Sequence, residues 1–359
     1  MKRSKLLISH LVLLFSLLGR ASAVPFPSGP PASPSLYTFS DPDAWPEGVA
    51  THPLSPYFYS ASTTTGTIYR GHLGSPSISS WITSPTELAG LNTAWGMKLS
   101  RDGRYLFVAS GLQGGVWVFS VQHQTAVAIF SNGIAFGGTW INDIAVDYAL
   151  GGTGDVLVTD SLTTVLWKIP AAELSSAIAE WQTTGVVAAR SLTQFADMSQ
   201  WAPDPSLGPY LANGLTFLPG GRYAMVGIMS TGYLVRVDLV NGATSAVSKR
   251  TDVNDKVFAY SDGLLYRHPY LFSVNAVHDP SHPSGPLQDF ITVVKLSGSG
   301  SEKYLKGDIV GKIESTTFNV STTLAFAGAN IGDALVVNHQ LTGGVPALPF
   351  TISRIPLTW

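Results

Sequence analysis

The stretch Ala212-Asn213-Gly214-Leu215-Thr216-Phe217 reads as a short apolar strand opened by a turn pair. Pro219-Gly220-Gly221 then reverses the chain, Tyr223 to Ile228 makes a second strand, and Tyr233-Leu234-Val235-Arg236-Val237 makes a third. Val, Ile, Tyr and Phe fit a pleated surface, and Gly, Pro and Asn set its turns. Working outward, the same order recurs at Glu47-Gly48-Val49-Ala50, Trp95-Gly96-Met97-Lys98, Asn142-Asp143-Ile144-Ala145, Asp262-Gly263-Leu264-Leu265 and Thr322-Thr323-Leu324-Ala325. With Asn213 in its place, the opening residues are separated by 48, 47, 71, 49 and 60 positions.

Those spacings suit the length of a four-stranded blade, and six units close a ring. The sequence therefore predicts an all-β fold, a six-bladed β-propeller with four-stranded blades around a central channel. Ring closure needs a strand from one terminus to pair with the sheet at the other, and Ser35 to Phe39 is placed to lie beside Thr351 to Ile355. The long interval at 170–210 holds the clearest helical pattern, Ala171 to Trp181, with Leu174, Ile178 and Trp181 at helical spacing. It is either a surface decoration or a lid over the channel mouth.

Lys2-Arg3-Ser4-Lys5, the apolar run Leu6 to Leu18 and Ala21-Ser22-Ala23 read as a secretory signal over residues 1–23, too short to span a membrane. The expectation is a secreted protein without a membrane anchor, whose residues 24–359 form one propeller domain and act as a monomer. The chain has no cysteine, so no disulfide or thiolate chemistry is open to it. A net charge of −2 gives no reason to expect nucleic acid as a partner. The sequon Asn319-Val320-Ser321 offers a glycosylation site.

In a propeller the first strand of every blade lines the axis, so the six opening residues face one another at one rim. Glu47, Asn142, Asn213 and Asp262 hold four of those places, Trp95 and Thr322 the others. Two carboxylates close together need a proton or a cation, and with two carboxamide oxygens they form a hard ligand set. Such a set suits Ca²⁺, with Mg²⁺ and Mn²⁺ as further options. Singly, Asn213-Gly214 or Asp262-Gly263 would pass for an ordinary turn; their shared place in the repeat argues for metal.

The ends of the second strands return to the same rim. They bring Asp160, His278 and His339 within reach, so Asp262, His278 and His339 are the catalytic candidates. Trp45, Trp95, Trp140, Met229 and Tyr260, with Asp160, are the candidate substrate contacts, and their aromatic character points to an apolar or aromatic small molecule. The alternative for the tryptophans is packing between blades. There is no Gly-x-Ser-x-Gly elbow and no phosphate-binding glycine loop.

The stretches Pro46-Glu47-Gly48-Val49, Trp140 to Val146, Ala212 to Leu215 with Pro219-Gly220-Gly221, and Ser261-Asp262-Gly263-Leu264 resemble the senescence-marker-protein/gluconolactonase/luciferin-regenerating-enzyme-like superfamily. That resemblance implies a six-bladed propeller with a divalent cation in its channel. It implies Glu47, Asn213 and Asp262 as ligands, and Asn142 as a ligand or substrate contact. The substrate-binding arginine of sugar-lactone members has no evident counterpart at this rim. The expected activity is metal-dependent hydrolysis of a lactone or related ester; the alternatives are a non-hydrolytic cyclase or pericyclase of secondary metabolism, and a binding protein without turnover.

Overall fold

Val, Ile, Leu and aromatic side chains supply strands that are buried on both faces, as Tyr105–Ala109, Gly115–Ser120 and Ile141–Val146 are along their whole length. A computed structural model of the chain describes residues 34–147, 154–201, 210–249, 261–278, 287–340 and 346–359. Among these, strands form five hydrogen-bonded sheets of eight, four, five, four and five strands. Antiparallel meanders in chain order form the body of each: the eight-stranded sheet joins two of them, one from each end of the chain, and each five-stranded sheet takes one further strand, Ala188–Ser191 or Ser248–Lys249, in parallel at its outer edge.

Leu36–Phe39 makes that junction. It runs antiparallel to Thr351–Pro356, with Leu36 opposite Ser353 and Thr38 opposite Thr351, and parallel to Ser77–Ile82. Tyr37 anchors it, fully buried, edge-on to Phe58 at 4.9 Å and donating its hydroxyl hydrogen to the Leu73 carbonyl at 2.9 Å. Both edges of that junction are thereby paired rather than left open.

The innermost strands are Pro46–Thr51, Met97–Leu99, Ile141–Val146, Ala212–Phe217, Ser261–Arg267 and Ser321–Ala327. Each touches the next in that order, and the last touches the first, so they enclose an axis. The apolar core is divided into wedges between successive meanders: Phe107, Val118 and Phe130 pack against Ile144, Val158 and Trp167, and the next wedge sets Leu157 and Leu166 against Leu215 and Val226. Wedge packing fixes the sheets face to face and aims every inner strand at the axis.

The helix runs Ala171–Thr184 and ends at Gly185, whose φ of 71° lets its N–H return to the Trp181 carbonyl at 2.7 Å. Leu174, Ile178 and Trp181 pack on the wedge that holds Val127 and Phe130. Ala188–Ser191 then adds in parallel to the outer strand Thr125–Ser131. The helix is thus held against the outer edge of the second meander, and its apolar face is spent there; of the two readings of this interval, the described helix fits surface decoration. Residues 202–209 and the expected signal at 1–23 lie outside the described residues.

Candidate functional site

The opening residues share one backbone device. The pairing of inner and second strand slips between Pro46 and Val49, Ile141 and Ile144, Ala212 and Leu215, Ser261 and Leu264, and Ser321 and Leu324. Each bulge contains the opening residue and the one after it, and a bulge re-aims the side chains it carries. Glycine follows the opening residue at 48, 96, 214 and 263 because the neighbouring bulge leaves no room: a Cβ on Gly48 would strike the Trp95 carbonyl, and one on Gly214 the Asp262 carbonyl. Gly96 also donates its N–H to the Asn142 carbonyl at 2.8 Å.

Glu47, Asn142 and Asn213 are buried, and Asp262 is half-buried beside them. Asn142 Nδ2 donates to Ser161 Oγ at 2.9 Å; Asn213 Nδ2 contacts Met229 Sδ at 3.6 Å, and the Asn213 side chain also hydrogen-bonds the Asp262 carboxylate. Their amides are therefore turned with oxygen unspent. Glu47 Oε2, Asn142 Oδ1 and Asn213 Oδ1 are buried acceptors with no partner. Three such atoms in one ring carry a large desolvation cost that a cation would remove.

Burial, followed by the charges of Asp262 and Asp143, pushes the Glu47 carboxyl well above the usual range, against a lowering by Lys98. Burial and Asp143 do the same to Asp262, opposed by hydrogen bonds from Asn213 and the Gly263 N–H. Three carboxylates thus face one ammonium, an excess of negative charge that suits a divalent cation. Among the described residues no three His, Cys, Asp or Glu side chains form a metal cluster by themselves; the donor set here depends on carboxamides.

Asp143 and Lys98 were not among the sequence candidates. Asp143 stands where three other repeats have glycine after a polar opening residue, and that exception was the available signal. Its Oδ2 accepts from the Leu215 N–H at 3.1 Å, its Oδ1 from the Ile144 N–H at 2.8 Å, and Lys98 Nζ lies 3.6 Å away. One carboxylate so ties three successive meanders together at the height of the opening residues.

Aromatic rings stand around this floor. Trp95 meets Trp140 edge-on at 4.6 Å, Trp140 meets Tyr210 at 5.7 Å, and His339 lies 6.1 Å from Trp95 and 6.5 Å from Trp45. Trp45 also packs on Phe350 at 5.0 Å and has a left-handed φ of 37°, a strain that the surrounding contacts must hold. His339 is buried with Nε2 unpartnered, and burial lowers its pKa to about 4, so it is a neutral imidazole. Tyr210 was missing from the sequence candidates.

Other candidates sit differently. Asp160 accepts from Thr139 Oγ1, from the Trp140, Leu162 and Thr163 N–H groups and from Trp167 Nε1, so its oxygens are committed to holding Trp140 and the following turn. Tyr260 and the His278 side chain lie outside the described residues, although the strand Tyr270–His278 ends at this rim. Asn319 is exposed on the surface.

Neither a comparison with protein-family models nor one with curated proteins finds a match for this chain. Solved structures do resemble it. A luciferin-regenerating enzyme superposes with a TM-score of 0.58 at 11% identity, over 89% of this chain and 94% of its own. Regucalcin from Agrobacterium tumefaciens, described as a calcium-binding protein, gives 0.57 at 14% identity over 90% and 93%. The major Malassezia sympodialis allergen Mala s 1 gives 0.58 at 12% identity over 90% and 96%. At these identities the likeness is one of fold, the β-propeller that the repeat implies.

Proposed function

We propose that this chain is a single-domain, six-bladed propeller that is secreted and hydrolyses a lactone or related ester with the help of a divalent cation, most simply Ca²⁺, held by Glu47, Asn142, Asn213 and Asp262. The observation that carries this reading is the trio of buried, unpartnered oxygens on Glu47, Asn142 and Asn213 beside a second carboxylate. The calcium-binding description of the regucalcin relative in fold supports the choice of ion.

A cation in that ring would supply Lewis-acid polarisation of the substrate carbonyl. The chain's own residues do the rest. Trp95 and Trp140 present apolar walls that orient an uncharged or aromatic acyl group and exclude water around it. Asp262, the most exposed of the four, takes a proton from the attacking water on its carboxylate oxygen and returns it to the leaving alkoxide. Neutral His339 holds its unpartnered Nε2 near the aromatic wall, ready to bond a hydroxyl of the substrate. Asp143, bound to the Leu215 N–H and facing Lys98, keeps the bulges in register.

Metal analysis of the purified protein, followed by a lactone and ester panel with and without chelator, tests the reading. About one divalent cation per chain is expected, and chelation or Asp262→Ala should lower kcat by about a hundredfold or more. Hydrolysis that survives both overturns it. The aromatic mouth favours a second reading, a cyclase or pericyclase acting by positioning alone. In that case Trp95→Ala would change the product profile while chelation left the chemistry intact.

A further inference from the structure

The fourth position of the six opening motifs holds Ala50, Lys98, Ala145, Thr216, Leu265 and Ala325. Five of these are neutral, and Lys98 is the one charge. Asp143 is the one charged residue at the second position, where the other repeats have Gly48, Gly96, Gly214, Gly263 and Thr323. The two departures belong to neighbouring meanders, and they meet: Lys98 Nζ lies 3.6 Å from Asp143 Oδ1, with the side chains 19% and 5% exposed.

Strand alternation explains the meeting. Met97 and Leu99 are buried in the wedge between the first and second meanders, which turns Lys98 to the other face, towards the third. Asp143 is fixed there by the Leu215 and Ile144 N–H groups. A pair held at this depth gains little stability over neutral residues, because desolvation offsets most of the attraction. Its charges nonetheless reach the ring: Asp143 raises the carboxyls of Glu47 and Asp262, and Lys98 lowers that of Glu47. Without the lysine, three carboxylates would face the ion with nothing to oppose them.

We infer that Lys98 sets the valence of the ion: by cancelling the charge of Asp143 it matches the ring to a divalent cation and disfavours a trivalent one of the same oxygen-seeking chemistry. The inference rests on the cation reading proposed above and adds a selectivity residue to it. Lys98 acts through charge alone, since an ammonium has no lone pair with which to coordinate a metal. Its repulsion of an ion grows in proportion to the charge of that ion, so its removal favours the trivalent one more.

The test is calorimetric titration of the protein with Ca²⁺ and with La³⁺, in a phosphate-free buffer at neutral pH. Lys98→Met should bind Ca²⁺ about tenfold or more tightly than the parent, and La³⁺ should gain by roughly the three-halves power of that factor. Lys98→Arg should keep the parent's ratio of La³⁺ to Ca²⁺ affinity. Lys98→Met combined with Asp143→Asn should return to it, since the net charge is again that of the parent. Loss of a mere tether would weaken both ions alike. If Lys98→Met fails to fold, Lys98→Gln takes its place with the same expectation. A parent that binds no Ca²⁺ overturns the cation reading and this inference with it. A parent that binds Ca²⁺, with a ratio that stays level or falls in the folded neutral variant, or that shifts as far in Lys98→Arg, overturns the role of Lys98 alone.

Discussion

Glu47 carries the pH behaviour of the cation-free protein. Its carboxyl is raised well above 4.5 by burial and by the Asp262 and Asp143 charges. A raised acid stabilises the fold fully below its unfolded value, and that contribution is lost as the pH rises through the folded value. His339 works in the opposite sense: its pKa is lowered to about 4 from 6.5, so its contribution is present above 6.5 and lost as the pH falls towards 4. Because the two overlap in mild acid, the difference between Glu47→Gln and the parent is the useful readout. Melting curves in chelator should show the parent losing stability relative to Glu47→Gln as the pH climbs from about 4.5 to neutrality, and Ca²⁺ should restore it by replacing the proton. An unchanged difference across that range would refute the coupling. At this scale the four ring residues were legible because they share one place in a repeat. Asp143 showed only as the exception to glycine at its place in the repeat, and Lys98 only as the lone charge at its own; that they meet did not show at all, because contacts that join meanders leave no mark in the strand that bears them.

At the scale of elements, the bulge does the positioning. It places two residues of the inner strand against one of its neighbour, and the second must be small where the next bulge crowds it. Gly214→Ala would drive a Cβ into the Asp262 carbonyl and towards Leu264. The expected cost is about 3 kcal/mol, with weaker cation binding, read by thermal melts with and without Ca²⁺; a melting temperature equal to that of the parent would show that the bulges have slack. Strand existence was legible from apolar runs, and Tyr223–Ile228 falls where the sequence placed it. The helix pattern of Leu174, Ile178 and Trp181 was equally clear, yet its address was not. Ala188–Ser191 pairs with Thr125–Ser131, which precedes it by about sixty residues, and a parallel addition at that distance has no turn or periodicity to announce it.

For the whole molecule, closure is the decisive event, and Leu36–Phe39 performs it. Tyr37→Ala empties a fully buried site on that strand and should cost about 3 to 5 kcal/mol. Deleting residues 35–39 should lower the melting temperature further, since it strips the edges of Ser77–Ile82 and Thr351–Pro356 together; an unchanged melt would mean that the ring does not need its clasp. The sequence by itself determined the all-β class, the repeating meander and the identity of the opening residues, because strand alternation and turn chemistry are local and are written in neighbouring positions. Only the tertiary structure decided which acceptors are left unsatisfied, which meanders Asp143 joins and where the helix docks. Those depend on side chains brought together from positions far apart in the chain, and burial, charge coupling and cavity shape exist only once the ring is closed.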